Sequence, residues 1–149
     1  MDRKLIEQFI RDLIMAINAH DISKISAFFA VDFKGRDITY ARKYQGKKDL
    51  IKNLNEYFSA FTDVHFTVDK RAIEESRIVL FWSASALHSG VLLKIPPSFK
   101  RFTVQGVWLL ELKNSRICRG TSLWDMYGFL RSIRLMPDLP HEKRKTLNN

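Results

Sequence analysis

The spacing of apolar residues changes once along this chain, and that change restricts the folds open to it. Up to residue 61, apolar residues recur every three or four positions, as in Leu5, Phe9 and Leu13, which is the spacing of an amphipathic helix. From Val64 onward they alternate with polar residues, which is the spacing of half-buried strands. Helices followed by strands predict an α+β domain in which the helices cover one face of a sheet.

The helical part is predicted to contain three helices. The first spans about residues 2–19, and Asp21 is a good N-cap for a second, short helix. The third spans residues 47–61, because its apolar side chains share one face. Between the second and third helices, residues 31–44 are predicted to form one or two short strands around Gly35.

The alternating part is predicted to contain four long strands, with a last short helix over residues 128–136. The strands are placed at residues 64–68, 77–88, 101–112 and 116–126. Turn residues separate them at 74–76, 96–98 and 114–115. Such turns indicate hairpins, so the strands are expected to be antiparallel neighbours. A curved antiparallel sheet with the three helices on its concave face can enclose a pocket.

The length and charge of the chain predict one domain with a basic tail. A chain of 149 residues is the size of one domain, which we place at residues 1–136, with a basic, flexible tail at 137–149. The net charge is +9, and a further basic stretch covers residues 34–52. No aromatic side chains are regularly interleaved with that stretch, which argues against nucleic acid as the partner.

The cysteine content and the N-terminus predict a cytoplasmic protein without metal or cofactor. Cys118 is the single cysteine, so no intramolecular disulfide or cysteine-based metal site can form. Charged residues interrupt the apolar pattern of the N-terminus, and no run approaches the roughly 20 apolar residues of a membrane span. Phosphate-binding glycine motifs and paired histidines are also absent from the sequence.

His88 is the first candidate for a functional side chain. In the strand that ends there, it shares a face with Trp82, Ala84 and Ala86. Two small alanines leave space beside the sheet, as a ligand cavity requires. The alternative is a buried histidine that satisfies both ring nitrogens inside the core.

Asp125 is the second candidate, and it follows Trp124 at the end of another predicted strand. Acids are rarely buried without a partner or a purpose. Burial would raise the pKa of this carboxyl group and make it a stronger base near neutral pH. The alternative is a helix N-cap in which Asp125 binds the backbone N–H groups of the following segment.

The cavity wall is expected to be largely aromatic. The predicted lining residues are Trp82, Trp108, Trp124, Phe29, Tyr57 and Gln105. Three tryptophans in three strands can equally be ordinary core residues. In a regular strand Gln105 has the opposite parity from Trp108, so only a β-bulge would bring both to the same face.

The order of several short motifs resembles the SnoaL-like polyketide cyclase, or ester cyclase, family over about residues 5–135. The motifs are Asn18-Ala19-His20-Asp21 before an aromatic helix, Gly46, Phe61-Thr62-Asp63, His88-Ser89-Gly90, Ile95-Pro96-Pro97 and Trp124-Asp125. The resemblance implies the cone-shaped, cystatin-like α+β fold of nuclear transport factor 2-like proteins. It also implies a homodimer.

What the resemblance implies about activity is an intramolecular aldol ring closure without metal or cofactor. It assigns the acid/base role to Asp125, and His88 is our candidate for the polar group beside the developing oxyanion. The partner would be an apolar or aromatic small molecule. The alternative is a non-catalytic module that binds such a ligand or pairs with itself through the outer sheet face, where Val79, Phe81 and Leu87 are apolar.

Overall fold

The helices and strands follow the predicted order. A computed structural model describes residues 1–140, and its helices lie on one side of a single six-stranded sheet. The elements are α1 (Arg3–Asn18), α2 (Ile22–Ala27), β1 (Phe29–Asp37), β2 (Arg42–Gln45), α3 (Gly46–Ala60), β3 (His65–Glu74), β4 (Arg77–Leu87), β5 (Arg101–Lys113), β6 (Arg116–Trp124) and α4 (Met126–Ser132). The predicted α+β class is therefore confirmed. The last helix starts two residues before its predicted position, and β3 is longer than predicted.

The sheet is mixed, although it was predicted to be antiparallel throughout. Its strand order is β2-β1-β6-β5-β4-β3, and β3 to β6 are antiparallel neighbours as expected. Strands β1 and β6, however, pair in parallel. No hairpin joins these two strands, so no tight turn forces them to run in opposite directions.

The predicted turn at residues 96–98 belongs to a longer connection between β4 and β5. The connection covers residues 88–100 and contains an isolated bridge between Leu92 and Ile95. At its base, His88 N–H donates to the Lys100 carbonyl and Phe99 N–H donates to the His88 carbonyl. The two strands therefore remain in register over the whole of β4.

Alternation along the long strands separates a buried face from an exposed one. In β4 the buried side chains are Ile78, Leu80, Trp82, Ala84 and Ala86. These residues and their neighbours on β5 and β6 pack beneath the helices in two clusters, one against α1 and α2 and one against Phe61 and α4. No helix among residues 1–140 covers the opposite face of the sheet.

Part of the predicted basic tail lies outside the described residues. Residues 137–140 follow α4 and are exposed, and residues 141–149 are not described. Within residues 1–140 no helix has both the length and the apolar composition needed to cross a membrane.

Candidate active site

A cavity of about 190 Å³ lies between the buried face of the sheet and the helices α1, α2 and α3. Aliphatic side chains of the helices, such as Leu13 and Leu54, form one wall. Five of the six predicted lining residues contribute to the cavity, namely Trp82, Trp108, Trp124, Phe29 and Tyr57. The wall is thus mostly apolar and aromatic, as small-molecule sites commonly are.

Gln105 does not line the cavity, contrary to the expectation. It pairs with Ser83 in an uninterrupted stretch of the β4–β5 ladder, and its side chain is exposed on the outer face of the sheet. No bulge shifts the alternation between Gln105 and Trp108, so the two residues keep opposite parity.

Among the described residues, Asp37 is the only acidic residue that lines this cavity, and it is not one of the site residues predicted from the sequence. It is the last residue of β1, lies in the cavity wall and is only 3% exposed. Its Oδ1 accepts a hydrogen bond from Thr39 N–H at 2.9 Å. Burial raises the pKa of Asp37, while hydrogen bonds from Thr39, Trp124 and Tyr57 oppose that rise without cancelling it.

Two tyrosines and a tryptophan form a hydrogen-bonded group beside Asp37. The Tyr57 hydroxyl lies 2.7 Å from the Tyr40 hydroxyl, and Trp124 Nε1 donates to Tyr57 Oη at 3.2 Å. Burial raises the pKa of Tyr57 far above its usual range, so this phenol keeps its proton at neutral pH. Tyr57 is therefore available as a hydrogen-bond donor at the Asp37 end of the cavity.

Hydrogen bonds and strand pairing connect the end of β1 to the end of β6 beside this group. Trp124 N–H donates to Thr39 Oγ1 at 2.9 Å, and Asp37 is the register partner of Ser122. Nearby, Arg42 donates to Asn53 Oδ1 at 3.2 Å and forms an ion pair with Glu56. The polar residues of the cavity wall lie on β1, β2, α3 and β6, namely Arg36, Asp37, Tyr44, Asn53, Tyr57, Thr121 and Ser122, whereas the β4 and β5 side is apolar and aromatic.

The structure places Asp125 at the start of α4, where it is the N-cap. Its Oδ1 accepts a hydrogen bond from Gly128 N–H at 2.8 Å, and its side chain is exposed. Asp125 is not among the residues that line the cavity. This arrangement matches the helix-cap alternative, and the acid/base role that the resemblance implies remains a prediction.

His88 is fully buried at the end of β4, but it also lies outside the cavity lining. Its Nδ1 accepts a hydrogen bond from Ser98 N–H at 3.1 Å. Its ring packs against Phe61 and Phe129, and burial lowers its pKa. No hydrogen bond joins His88 to Asp125 among the described contacts, so the structure does not bring these two candidates together.

A signal for Asp37 exists in the sequence. Phe33, Gly35 and Asp37 alternate with the charged residues Lys34 and Arg36. That spacing places the acid on the same strand face as an aromatic core residue. From the sequence, this segment is instead treated as part of the basic stretch at residues 34–52, and Asp37 is assigned no role. Within residues 1–140 no three His, Cys, Asp or Glu side chains come close enough to hold a metal ion.

A curved sheet with helices on one side and a cavity between them defines the class of nuclear transport factor 2-like α+β proteins. AclR from Streptomyces galilaeus, a candidate hydroxylase, is similar with a TM-score of 0.81 and 20% identity, over 95% of this chain and 88% of its own. TsrD from Streptomyces laurentii is similar with a TM-score of 0.80 and 20% identity, over 91% of this chain and 99% of its own.

A third structure of this class was solved with a bound small molecule. It is a protein with a ketosteroid isomerase-like fold from Catenulispora acidiphila, in complex with trimethylamine. Its TM-score is 0.72 at 14% identity, over 87% of this chain and 97% of its own. At such identities these likenesses show the fold alone.

Sequence comparison identifies the family within this class. The model of the SnoaL-like polyketide cyclase family matches residues 4–133. The chain therefore belongs to the SnoaL-like polyketide cyclase family, which confirms the resemblance found in its motifs. A search of curated protein sequences found no match.

Proposed function

We propose that this protein is a cofactor-independent enzyme that closes a ring in, or isomerises, an apolar carbonyl compound by acid/base catalysis inside the cavity. The observation that carries the proposal is the position of Asp37, a carboxylate that is 3% exposed in a mostly apolar cavity wall. Burial raises its pKa, which makes its carboxylate form a stronger base than one in water.

The proposed reaction begins with removal of a proton from a carbon next to a carbonyl group. Asp37 accepts that proton, and the electron pair of the C–H bond moves into an enolate. In ring closure the enolate carbon attacks a second carbonyl carbon of the same molecule, and the resulting alkoxide takes the proton back from Asp37. The Tyr57 hydroxyl is positioned to donate a hydrogen bond to the enolate oxygen, because it lies beside Asp37 and stays protonated.

The family resemblance supports a second assignment, with Asp125 as the acid/base residue and His88 as its assistant. For that chemistry the Asp125 carboxylate has to release Gly128 N–H and reach the substrate. We favour Asp37 because it needs no such rearrangement. The two assignments predict opposite results for two matched substitutions, Asp37→Asn and Asp125→Asn.

The experiment measures ring closure of a polycyclic β-keto ester by chromatography, with the wild type and both variants. With Asp37 as the base, Asp37→Asn lowers the rate at least about 100-fold, and Asp125→Asn stays within about threefold of the wild type. The reverse pattern would transfer the acid/base role to Asp125. Equal rates for all three proteins would reject acid/base catalysis by either residue.

The apolar lining also favours a second candidate function, which is ligand binding without catalysis. An apolar or aromatic molecule would be held by Trp82, Trp108 and Phe66, whose rings are in mutual contact. Saturable binding together with unaltered ligand after long incubation would support this candidate over the enzyme.

We also infer that the protein pairs with a second copy of itself through the outer face of the sheet. Phe81, Leu109 and Leu123 are exposed there on the adjacent strands β4, β5 and β6. An apolar patch of this kind is typical of a protein interface. The proposed location remains the cytoplasm, on the basis of the single cysteine, Cys118.

A further inference from the structure

The indole N–H of Trp82 is buried in the cavity wall without a hydrogen-bond acceptor. Trp82 lines the cavity and is only 5% exposed, and its Nε1 has no partner among the described residues. An indole nitrogen can only donate, and buried tryptophans usually find an acceptor for it. A buried donor without an acceptor is energetically unfavourable. A ligand that supplies an acceptor to this N–H would therefore bind more favourably.

The other tryptophan in the same row of the sheet differs in this respect. Trp82, Gly106 and Trp124 are register partners across β4, β5 and β6. Trp124 Nε1 already donates to Tyr57. Of the two tryptophans in this row, Trp82 is therefore the one whose indole N–H has no acceptor among the described residues.

The absence of a side chain at Gly106 determines where the Trp82 ring lies. A Cβ atom at residue 106 would overlap the six-membered part of the Trp82 indole, so the ring lies over Gly106 on β5. The ring also contacts Phe66 on β3 and Trp108 on β5, with centroid distances of 5.1 and 5.2 Å. Neither aromatic neighbour offers a conventional acceptor atom, so a ligand oxygen would not have to displace one.

Trp82 and Asp37 stand at opposite sides of the cavity. Asp37 is on β1 and Trp82 is on β4, and β6 and β5 lie between them. Three strand spacings separate their backbones, which is about 14 Å. Both side chains face the cavity, so one elongated molecule can contact both.

We propose that Trp82 Nε1 donates a hydrogen bond to an oxygen atom of the bound ligand, at the end of the molecule opposite to the carbon that faces Asp37. The ligand is then an elongated apolar compound with a carbonyl or phenolic oxygen at its far end. This assignment rests on the proposed function in taking Asp37 as the mark of the reacting end. Trp82 is accordingly a specificity-determining residue.

The test compares two probes with the same carbon skeleton, 1-tetralone, which has a ketone oxygen, and tetralin, which has none. The full chain is labelled with ¹⁵N, and the indole signal of Trp82 is assigned by its loss in Trp82→Phe. In the wild type, 1-tetralone is expected to shift this signal saturably, and tetralin is expected to shift it much less. A Trp82 signal that responds equally to both probes would overturn the proposal.

Affinity gives the second measurement. The ratio of 1-tetralone affinity to tetralin affinity is expected to be about tenfold higher in the wild type than in Trp82→Phe. Trp108→Phe is the matched control, because it removes an indole from the same wall and is expected to keep the wild-type ratio. A ratio that survives Trp82→Phe would assign the ketone contact to another donor and overturn the proposal.

These binding results are separate from the results on catalysis. Equal ring-closure rates for the wild type and Asp37→Asn would reject Asp37 as the catalytic base and leave the Trp82 readout intact. Conversely, a catalytic role for Asp37 together with an affinity ratio that does not depend on Trp82 would reject only the Trp82 contact.

Discussion

Tyr40 and Tyr57 hold their hydroxyl oxygens 2.7 Å apart, which links the segment between β1 and β2 to helix α3. Tyr57 Oη also accepts a hydrogen bond from Trp124 Nε1. A phenol has two acceptor sites and one donor hydrogen. If Tyr40 donates as Trp124 does, both acceptor sites are filled, and the Tyr57 hydrogen is left to point toward Asp37 or a bound substrate.

Tyr57→Phe is therefore expected to lower the rate of ring closure about 10- to 100-fold, because it removes a donor from the reacting end of the cavity. It also removes a hydrogen bond that lowers the pKa of Asp37, so the acidic limb of the pH–rate profile should move to higher pH. Kinetics across the pH range check both effects. A rate loss without any movement of the profile would indicate a packing defect. Tyr40→Phe is the comparison, and it is expected to lower the rate less, because it leaves the Tyr57 hydroxyl in place.

The raised pKa of Asp37 predicts a specific dependence of stability on pH. Its pKa in the folded protein lies above the ordinary value of 3.8, so between these two values the folded state binds more protons than the unfolded state. The contribution of Asp37 to stability is thus largest below 3.8 and is lost as the pH rises through the folded pKa. Asp37→Asn, which cannot ionise, avoids that loss.

Melting temperatures measured for the wild type and Asp37→Asn between pH 3 and pH 8 test this prediction. Relative to the wild type, the variant should become more stable as the pH increases. Both proteins are measured at the same pH values, so the effects of other titrating groups cancel in the difference between their melting temperatures. A difference in Tm that stays constant across the range would show that Asp37 is not perturbed by burial.

Asp125 is expected to act on stability through the N-terminus of α4. Asp125→Ala removes the bond from Gly128 N–H and should lower the stability by about 1 kcal/mol, or about 2–4 °C in Tm for a chain of this size. Asparagine is also a good N-cap, so Asp125→Asn should remain close to the wild type. Thermal denaturation of the two variants separates loss of the cap from loss of charge, and equal destabilisation by both would argue against the capping role.

The apolar patch on the outer sheet face predicts a dimer that a single charge can disrupt. Leu109→Glu places a carboxylate among Phe81 and Leu123, where pairing of two copies would bury it without a partner. Sedimentation velocity should show the wild type as a dimer and the variant as a monomer. Met15→Glu is the control, because Met15 is exposed on α1, and a wild-type protein that sediments as a monomer would contradict the inference.

Local spacing was sufficient to predict most elements of this fold. The apolar repeat of α1 and the alternation in β4 depend on residues close together in the chain, and both were located within a residue or two. The parallel pairing of β1 with β6 was not predicted. That pairing joins residues far apart in sequence, such as Asp37 and Ser122.

In the candidate site too, the residues that could be predicted are those whose position depends on nearby sequence. The cavity-facing tryptophans could be predicted from their parity within single strands. The hydrogen-bond partners of Asp37 include Tyr57 from α3 and Trp124 from β6, so the sequence around Asp37 does not contain its whole environment. For Asp125, the following Gly128 is the local signal of a cap, and the resemblance to a family motif outweighed that signal.

The link between Thr39 and Trp124 has a consequence for when the cavity forms during synthesis. These residues are 85 positions apart, and β6 completes the wall beside Asp37. Contacts of such long range form late and slow folding, because a large loop has to close before they stabilise the chain. A ribosome-bound chain that lacks β6 already contains helices α1 to α3 and Asp37, but it lacks the strand that completes the cavity wall beside that acid.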